Sequence, residues 1–229
     1  NQEKKWHFTP KIEKGKIVRG GDIVGNVQET TSIINKIMIP PGISGKVANI
    51  KPEGNYTIKQ WVCQVQTTDE ILDIFLVQKW PVRKARPYKS RLKVTEPMLT
   101  GQRIIDSFFP VAKGGISTVI GGFGTGKTVL LQTLAMWIES DVIIYIGCGE
   151  RGNEMADIMQ KFASLKKKNT EHSLMSKSIV IANTSNMPIL AREASIYCGI
   201  TIAEYYRDMG YHVTIMADST SRWAEALRE

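Results

Sequence analysis

The sequence predicts an α/β domain, a parallel sheet with helices on both faces, preceded by a small all-β domain. Three observations carry that prediction. After Thr100, β-branched runs alternate with segments of helical periodicity, the pattern of a parallel sheet covered by helices. Between Lys16 and Val77, short runs rich in Val, Ile and Thr are punctuated by Gly20-Gly21, Gly25, Pro40-Pro41-Gly42, Gly45 and Gly54. At the join of one strand and one helix in the second region lies the glycine-rich turn Gly121-Gly-Phe-Gly-Thr-Gly-Lys-Thr128.

In chain order, the segment from Lys16 to Val77 reads as the all-β unit. Within it Gln60 to Gln66 alternates, with Trp61, Cys63 and Val65 on one face and Gln64 and Gln66 at polar positions. Pro81, Pro87 and Pro97 with the basic residues among them mark a linker at 81–98, so the expected division is 1–98, β-rich insert and linker, and 99–229, the N-terminal part of a nucleotide-binding domain. Strands are expected at Ile116 to Ile120, Val142 to Ile146, Ile179 to Ala182 and His212 to Ala217, and helices at 127–139, 153–164 and 188–208. Met155, Ile158, Met159 and Phe162 form an i, i+3, i+4, i+7 stripe, while Pro188 and Gly210 suit a helix start and stop. Lys166-Lys167-Lys168 reads as an exposed loop. Ser219-Thr220-Ser221 offers N-caps, and Arg222 to Glu229 reads as the opening turns of another helix. With no initiating Met and a helix just beginning at its end, the sequence is expected to be part of a longer chain, truncated at its C-terminus.

Charge is uneven. Residues 1–100 carry 17 Lys and Arg against 9 Asp and Glu, and 101–229 carry 13 against 13, so the net +8 lies wholly in the first region. The densest basic stretch, Lys79 to Lys93, contains no acidic residue. No aromatic platform is interleaved with the first region's lysines and no RNA-binding signature is present, which favours a solvated or partner-facing surface over a nucleic-acid groove. Cys63, Cys148 and Cys198 have no metal-ligand spacing and are too few for a disulfide framework, favouring a reduced setting. No apolar run approaches a membrane span, so direct membrane insertion is not expected.

The glycine-rich turn carries the chemistry. Its backbone amides, from Gly122 through Phe123, Gly124, Thr125, Gly126 and Lys127 to Thr128 and Val129, can converge on phosphate oxygens at a helix N-terminus. Lys127 would reach the β- and γ-phosphates of a nucleotide and Thr128 would offer its hydroxyl to Mg²⁺. This P-loop pattern makes ATP with Mg²⁺ the expected ligand. Gly147-Cys-Gly-Glu-Arg-Gly-Asn-Glu154 follows an apolar strand and places Glu150 and Arg151 beyond its C-terminal end, where open α/β sheets bind ligands. There Glu150 can orient a water for attack on the γ-phosphate and Arg151 can neutralise transferring charge. The alternative is that Glu150 and Glu154 only complement the dipole of the next helix. Asp218 closes the apolar strand His212-Val-Thr-Ile-Met-Ala-Asp218, a position from which it can hold the Mg²⁺ shell through water, or cap the helix that follows.

At these residues the chain resembles the catalytic A subunit of the eukaryotic vacuolar-type proton-pumping ATPase. The resemblance spans Gly20-Gly-Asp-Ile-Val-Gly25, Ile39-Pro-Pro-Gly42, Gly54-Asn-Tyr56, Trp80-Pro-Val-Arg83, Leu99-Thr-Gly-Gln-Arg103, the Gly121 turn, Gly147 to Glu154, Ala182-Asn-Thr-Ser-Asn-Met-Pro188, Ala191-Arg-Glu-Ala-Ser-Ile-Tyr197 and Ala217-Asp-Ser-Thr-Ser-Arg-Trp-Ala-Glu-Ala-Leu-Arg-Glu229. It implies a RecA-like fold with a bulge-like insert. It implies ATP hydrolysis at A/B subunit interfaces of an alternating hexamer, coupled through a central stalk and a membrane sector to proton transport. It implies a peripheral location on the cytoplasmic face of vacuolar or endosomal membranes. Lys127, Thr128, Glu150, Arg151 and Asp218 match the family's phosphate, Mg²⁺, water-activating, γ-phosphate-side and strand-end residues. Thr125 departs from the cysteine common in eukaryotic members, which removes disulfide control through that position. The family's site also needs an adenine pocket from beyond Glu229 and an arginine from the B subunit, so the isolated chain is expected to turn over little.

Two rival readings keep the fold. A P-loop nucleic-acid translocase would grip single strands with the basic region and show ATPase stimulation by them. A non-catalytic nucleotide-binding subunit would bind without chemistry, and the joint presence of Lys127 and Glu150 disfavours it.

Overall fold

The computed structural model describes residues 2–122, 124–165 and 173–229. The expected loop at Lys166-Lys167-Lys168 and the P-loop residue Phe123 lie outside the described residues. The chain forms two compact units, one of Asn1–Pro87 with Asp208–Gly210 and one of Tyr88–Arg207 with Tyr211–Glu229.

The first unit holds β1 (Trp6–Pro10), β2 (Ile17–Arg19), β3 (Ile23–Gln28), β4 (Ile34–Met38), β5 (Ser44–Ile50), β6 (Gly54–Tyr56), β7 (Trp61–Gln66) and β8 (Ile71–Phe75). They build two antiparallel four-stranded sheets, β4-β3-β1-β6 and β2-β5-β7-β8. Both sheets contribute to one core, in which Phe8 of β1, Val24 of β3 and Val62 and Val65 of β7 are fully buried. The alternation expected over 60–66 is corrected here. A register shift between Trp61 and Cys63 turns Val62 and Cys63 both inward and leaves Trp61 only partly covered. A bulge adds one residue to a strand and so breaks a period-2 pattern at that point. The strand β1 lies ahead of the glycine punctuation and gave no such signal in the sequence.

The second unit opens with a short ribbon, β9 (Pro97–Met98) paired antiparallel with β10 (Val111–Ala112), around helix α1 (Arg103–Phe108). There follow α2 (Lys127–Trp137), β11 (Val142–Glu150), α3 (Gly152–Ser164), a 3₁₀ turn (Leu174–Lys177), β12 (Ser178–Thr184), α4 (Ile189–Asp208), β13 (Val213–Asp218) and α5 (Thr220–Arg228). The sheet runs β12-β11-β13, all parallel. Every residue of β11 is buried, as a continuous apolar run in a sheet covered on both faces requires. On one face Ile143 and Tyr145 pack with Ala135 of α2 and Met155, Ile158 and Phe162 of α3. On the other, α4 approaches so closely at Gly199 that an added Cβ would stand 2.3 Å from Ile146 Cδ1. Met159, in the expected stripe, is largely exposed. No helix among the described residues is long and apolar enough to cross a membrane.

One expected strand is absent. Ile116 to Ile120 carries the right β-branched residues but has no ladder partner, and Ile116 and Ile120 are 99% and 90% exposed. A strand exists only where a neighbour satisfies its N–H and C=O groups. Among the described residues nothing pairs with the second edge of β13, and propensity alone does not order the run.

Candidate functional site

The parallel register decides what meets at the carboxyl edge of the sheet. Gly147 of β11 stands opposite Asp218 of β13, and Glu150 opposite Thr184 of β12, so both acids leave the sheet at the same edge. The turn Gly121–Gly126 delivers α2, whose first residues are Lys127 and Thr128, toward that edge. Gly124 and Gly126 have φ of +78° and +83°, a region that an L side chain occupies only under strain. Thr125 Oγ donates to the Gly122 carbonyl at 2.9 Å, and Lys127 Nζ donates to the carbonyls of Gly121 and Gly122 at 2.8 and 2.6 Å. The described residues of the turn are thus held by its own side chains and are exposed, and among the described residues nothing lies within 4 Å of a Cβ built on Gly122, Gly124 or Gly126. Val129, one turn along, is also exposed.

The acids sit in the opposite environment. Asp218 is 5% exposed, and its Oδ2 accepts from the Thr128 hydroxyl at 2.6 Å and from the Tyr145 hydroxyl at 3.0 Å. Its carboxylate therefore turns toward α2. The N-cap position of α5 falls to Ser219, so the capping alternative for Asp218 is not realised.

Glu150 is 6% exposed at the end of β11. Burial is the largest influence on it, a hydrogen bond with Glu154 and the charge of Asp218 act in the same sense, and Arg222 opposes them; the net result is a carboxyl pushed up to about 7. Arg222 Nη1 lies 3.9 Å from Glu150 Oε1 and also donates to the Gly149 carbonyl. Gly149, at φ +68°, in turn donates its N–H to Asn183 Oδ1 at 3.0 Å. The turn presenting Glu150 is therefore gripped by β12 on one side and by α5 on the other.

Arg151 occupies the N-cap position of α3 without a capping hydrogen bond, is exposed, and pairs with Glu154 at 4.0 Å. Glu154 lies in the first turn of α3, where a negative charge complements the helix dipole. The structure thus gathers Thr128, Asp218 and Glu150 onto one edge, whereas Arg151 stands at the surface beside Glu154.

Tyr145, Asn183 and Arg222 were not anticipated from the sequence. A lone tyrosine within Val142-Ile-Ile-Tyr-Ile146, on the face shared with Gly147 and hence with Asp218, was the available signal for the first. For Arg222, it was a cation in the first turn of the helix after an acid.

The residues fit a magnesium–nucleotide pair. Hydroxyl and carboxylate oxygens are the ligands a hard cation takes, and Mg²⁺ bound with a polyphosphate needs only one or two of them from the protein. Among the described residues no group of three or more His, Cys, Asp and Glu converges to form a separate metal cage.

A glycine turn on a helix N-terminus, with a hydroxyl and two buried acids at the adjoining strand ends, defines a P-loop nucleotide-binding domain. Comparison with known proteins agrees. Residues 101–229 match the family model described as the ATP synthase alpha/beta family, nucleotide-binding domain, and residues 1–83 match the ATPsynthase alpha/beta subunit barrel-sandwich domain. The chain belongs to the ATP synthase alpha/beta family. It is 58% identical over 230 residues to the V-type ATP synthase alpha chain of Thermoanaerobacter sp. (strain X514), and 57% identical over 230 residues to the A subunit of the A-type ATP synthase of Thermococcus sibiricus. All of this chain aligns with each, and it spans 39% of their length. A solved structure described as a prototypical ATPase from the type III secretion system of pathogenic bacteria is similar at TM-score 0.54 and 33% identity, over 60% of this chain and 38% of that one.

Proposed function

We propose that this chain carries the catalytic nucleotide site of a rotary V/A-type ATPase, in which Mg-ATP hydrolysis at interfaces between A and B subunits is coupled to proton transport. The single observation behind this is the joint placement of a P-loop hydroxyl on a strand-end acid, Thr128 on Asp218 at 2.6 Å, with the buried Glu150 at the end of the neighbouring strand. Lys127 exchanges its loop carbonyls for phosphate oxygens, an anion being the stronger acceptor. The amides of 122–129 orient the polyphosphate. Thr128 and Asp218 would hold the cation, and Mg²⁺, when bound, would supply neutralisation of charge on the β- and γ-phosphates. Glu150, shielded from bulk water, orients the attacking water and takes up its proton, which a carboxyl poised near neutrality does well. Arg151 swings from Glu154 toward the γ-phosphate side.

The relatives' names describe chains of ATP synthases, which supports a peripheral subunit completed by neighbours in a hexamer with a central stalk and membrane sector. On this reading the B subunit contributes part of the site, and the chain by itself turns over little. Attachment at the cytoplasmic face of a vacuolar or endosomal membrane rests on the resemblance alone. The two relatives are bacterial and archaeal, and they support the V/A-type assignment without that placement.

The test is Glu150→Gln in the assembled complex. Nucleotide binding should persist while hydrolysis collapses; normal turnover would remove Glu150 from its role.

A further inference from the structure

Tyr145 is fully buried in the middle of β11, and packing accounts for its ring but not for its hydroxyl. The ring meets Phe162 edge-on, with centroids 5.8 Å apart and planes at 81°, and a phenylalanine would fill the same space. A buried phenolic O–H needs an acceptor. The acceptor is Asp218 Oδ2 at 3.0 Å, the same oxygen that receives the Thr128 hydroxyl at 2.6 Å. Register explains the meeting: Gly147 stands opposite Asp218, so Tyr145, two residues earlier, shares its face.

We propose that Tyr145 is a positioning residue for the metal side of the site: its hydroxyl fixes the Asp218 carboxylate so that Oδ2 faces Thr128 and Oδ1 is left to the hydration shell of the divalent cation that accompanies the nucleotide. This rests on the nucleotide reading of the site. Held by Thr128 alone, the carboxylate can turn about its terminal torsion, which is broad for aspartate. A second donor, arriving from β11 rather than α2, fixes the carboxylate plane. The Thr128 oxygen keeps a lone pair for the cation while its O–H donates to Asp218 Oδ2. Partners of this outer kind commonly govern metal affinity without touching the metal.

The experiment is a titration of the assembled complex with a fluorescent ATP analogue, in EDTA and at graded Mg²⁺, for wild type and Tyr145→Phe. Affinity in EDTA should be unchanged, whereas the Mg²⁺ concentration for the half-maximal metal-dependent response should rise about 10-fold. An unchanged Mg²⁺ midpoint overturns the proposal. So does a loss of equal size in EDTA and in Mg²⁺, because that assigns the hydroxyl to packing. In an Asp218→Ala background, Tyr145→Phe should add no further shift, and an undiminished shift there would also overturn it. A wild-type complex that binds no nucleotide, or binds it without regard to Mg²⁺, fails the nucleotide reading itself and is told apart by that control.

Discussion

The two sides of the site are built on opposite principles. The proposed phosphate side is, in its described residues, exposed backbone: Thr125 and Lys127 bond to the carbonyls of Gly121 and Gly122, and Gly124 and Gly126 adopt positive φ. The acid side is buried side chain: Asp218 and Glu150 are 5% and 6% exposed at the ends of adjacent strands, each tied to partners on other elements. On the proposed reading a polyphosphate must enter and leave, so amides near water would grip it. A group proposed to handle a proton or a cation needs one position and a tuned proton affinity, and a parallel ladder with a low-dielectric surround supplies both.

Substitutions on the acid side should therefore damage chemistry, and those on the loop side should damage binding. The largest expected effect is Glu150→Gln, with turnover in the assembled complex falling on the order of 10²–10⁴-fold while nucleotide affinity holds. Steady-state kinetics with parallel binding titrations check it, and a loss confined to affinity would erase the distinction between the two sides.

Next comes a pH effect of the same residue. The carboxyl of Glu150 is raised from 4.5 to about 7 by folding, so the folded state favours its protonated form. Its stabilising contribution is full below about pH 4.5 and is lost as pH rises through 7. Glu150→Gln, neutral throughout, should match wild type in nucleotide-free stability near pH 4.5 and exceed it near pH 8, by at most about 3 kcal/mol. Chemical denaturation at the two pH values checks this, and a gap that does not grow with pH would contradict the burial argument.

On the loop side, Lys127→Ala should weaken nucleotide binding by about 1.5–3 kcal/mol, roughly 10- to 100-fold, as loss of a hydrogen bond between charged groups does. Equilibrium titration reads it directly. The smallest effect is Gly126→Ala. Among the described residues no neighbour lies where its Cβ would go, so the φ of +83° sets the penalty, about 1 kcal/mol, seen in nucleotide affinity and in thermal unfolding. A null effect there would mean the turn relaxes to another form without cost to binding.

Much of this was legible in the sequence because it is local. The turn Gly121–Thr128 announces itself by residue type, the helices α2, α3 and α4 by period and by Pro188 and Gly210, and the strands β11, β12 and β13 by apolar runs whose ends carry Glu150 and Asp218. The failures share a cause. Ile116 to Ile120 has strand composition and no strand, because pairing depends on a partner that propensity does not report. The bulge at Trp61–Cys63 broke the start of an alternation that holds from Cys63 to Gln66. The hydroxyl of Tyr145, the amide of Asn183 and the guanidinium of Arg222 escaped notice because their partners lie 73, 34 and 73 residues away in the chain.

By itself, then, the sequence determined which chemical groups are present, which of them end strands, and that glycines shape the turn ahead of α2. Those facts follow from side-chain identity and short-range periodicity. Only the tertiary structure decided which groups touch: that Thr128 and Tyr145 share one oxygen of Asp218, that Arg222 and Asn183 grip the turn before Glu150, and that burial raises the proton affinity of Glu150. Contacts of that kind arise when parallel strands fall into register and helices close over them, and no spacing along the chain encodes the distances that result.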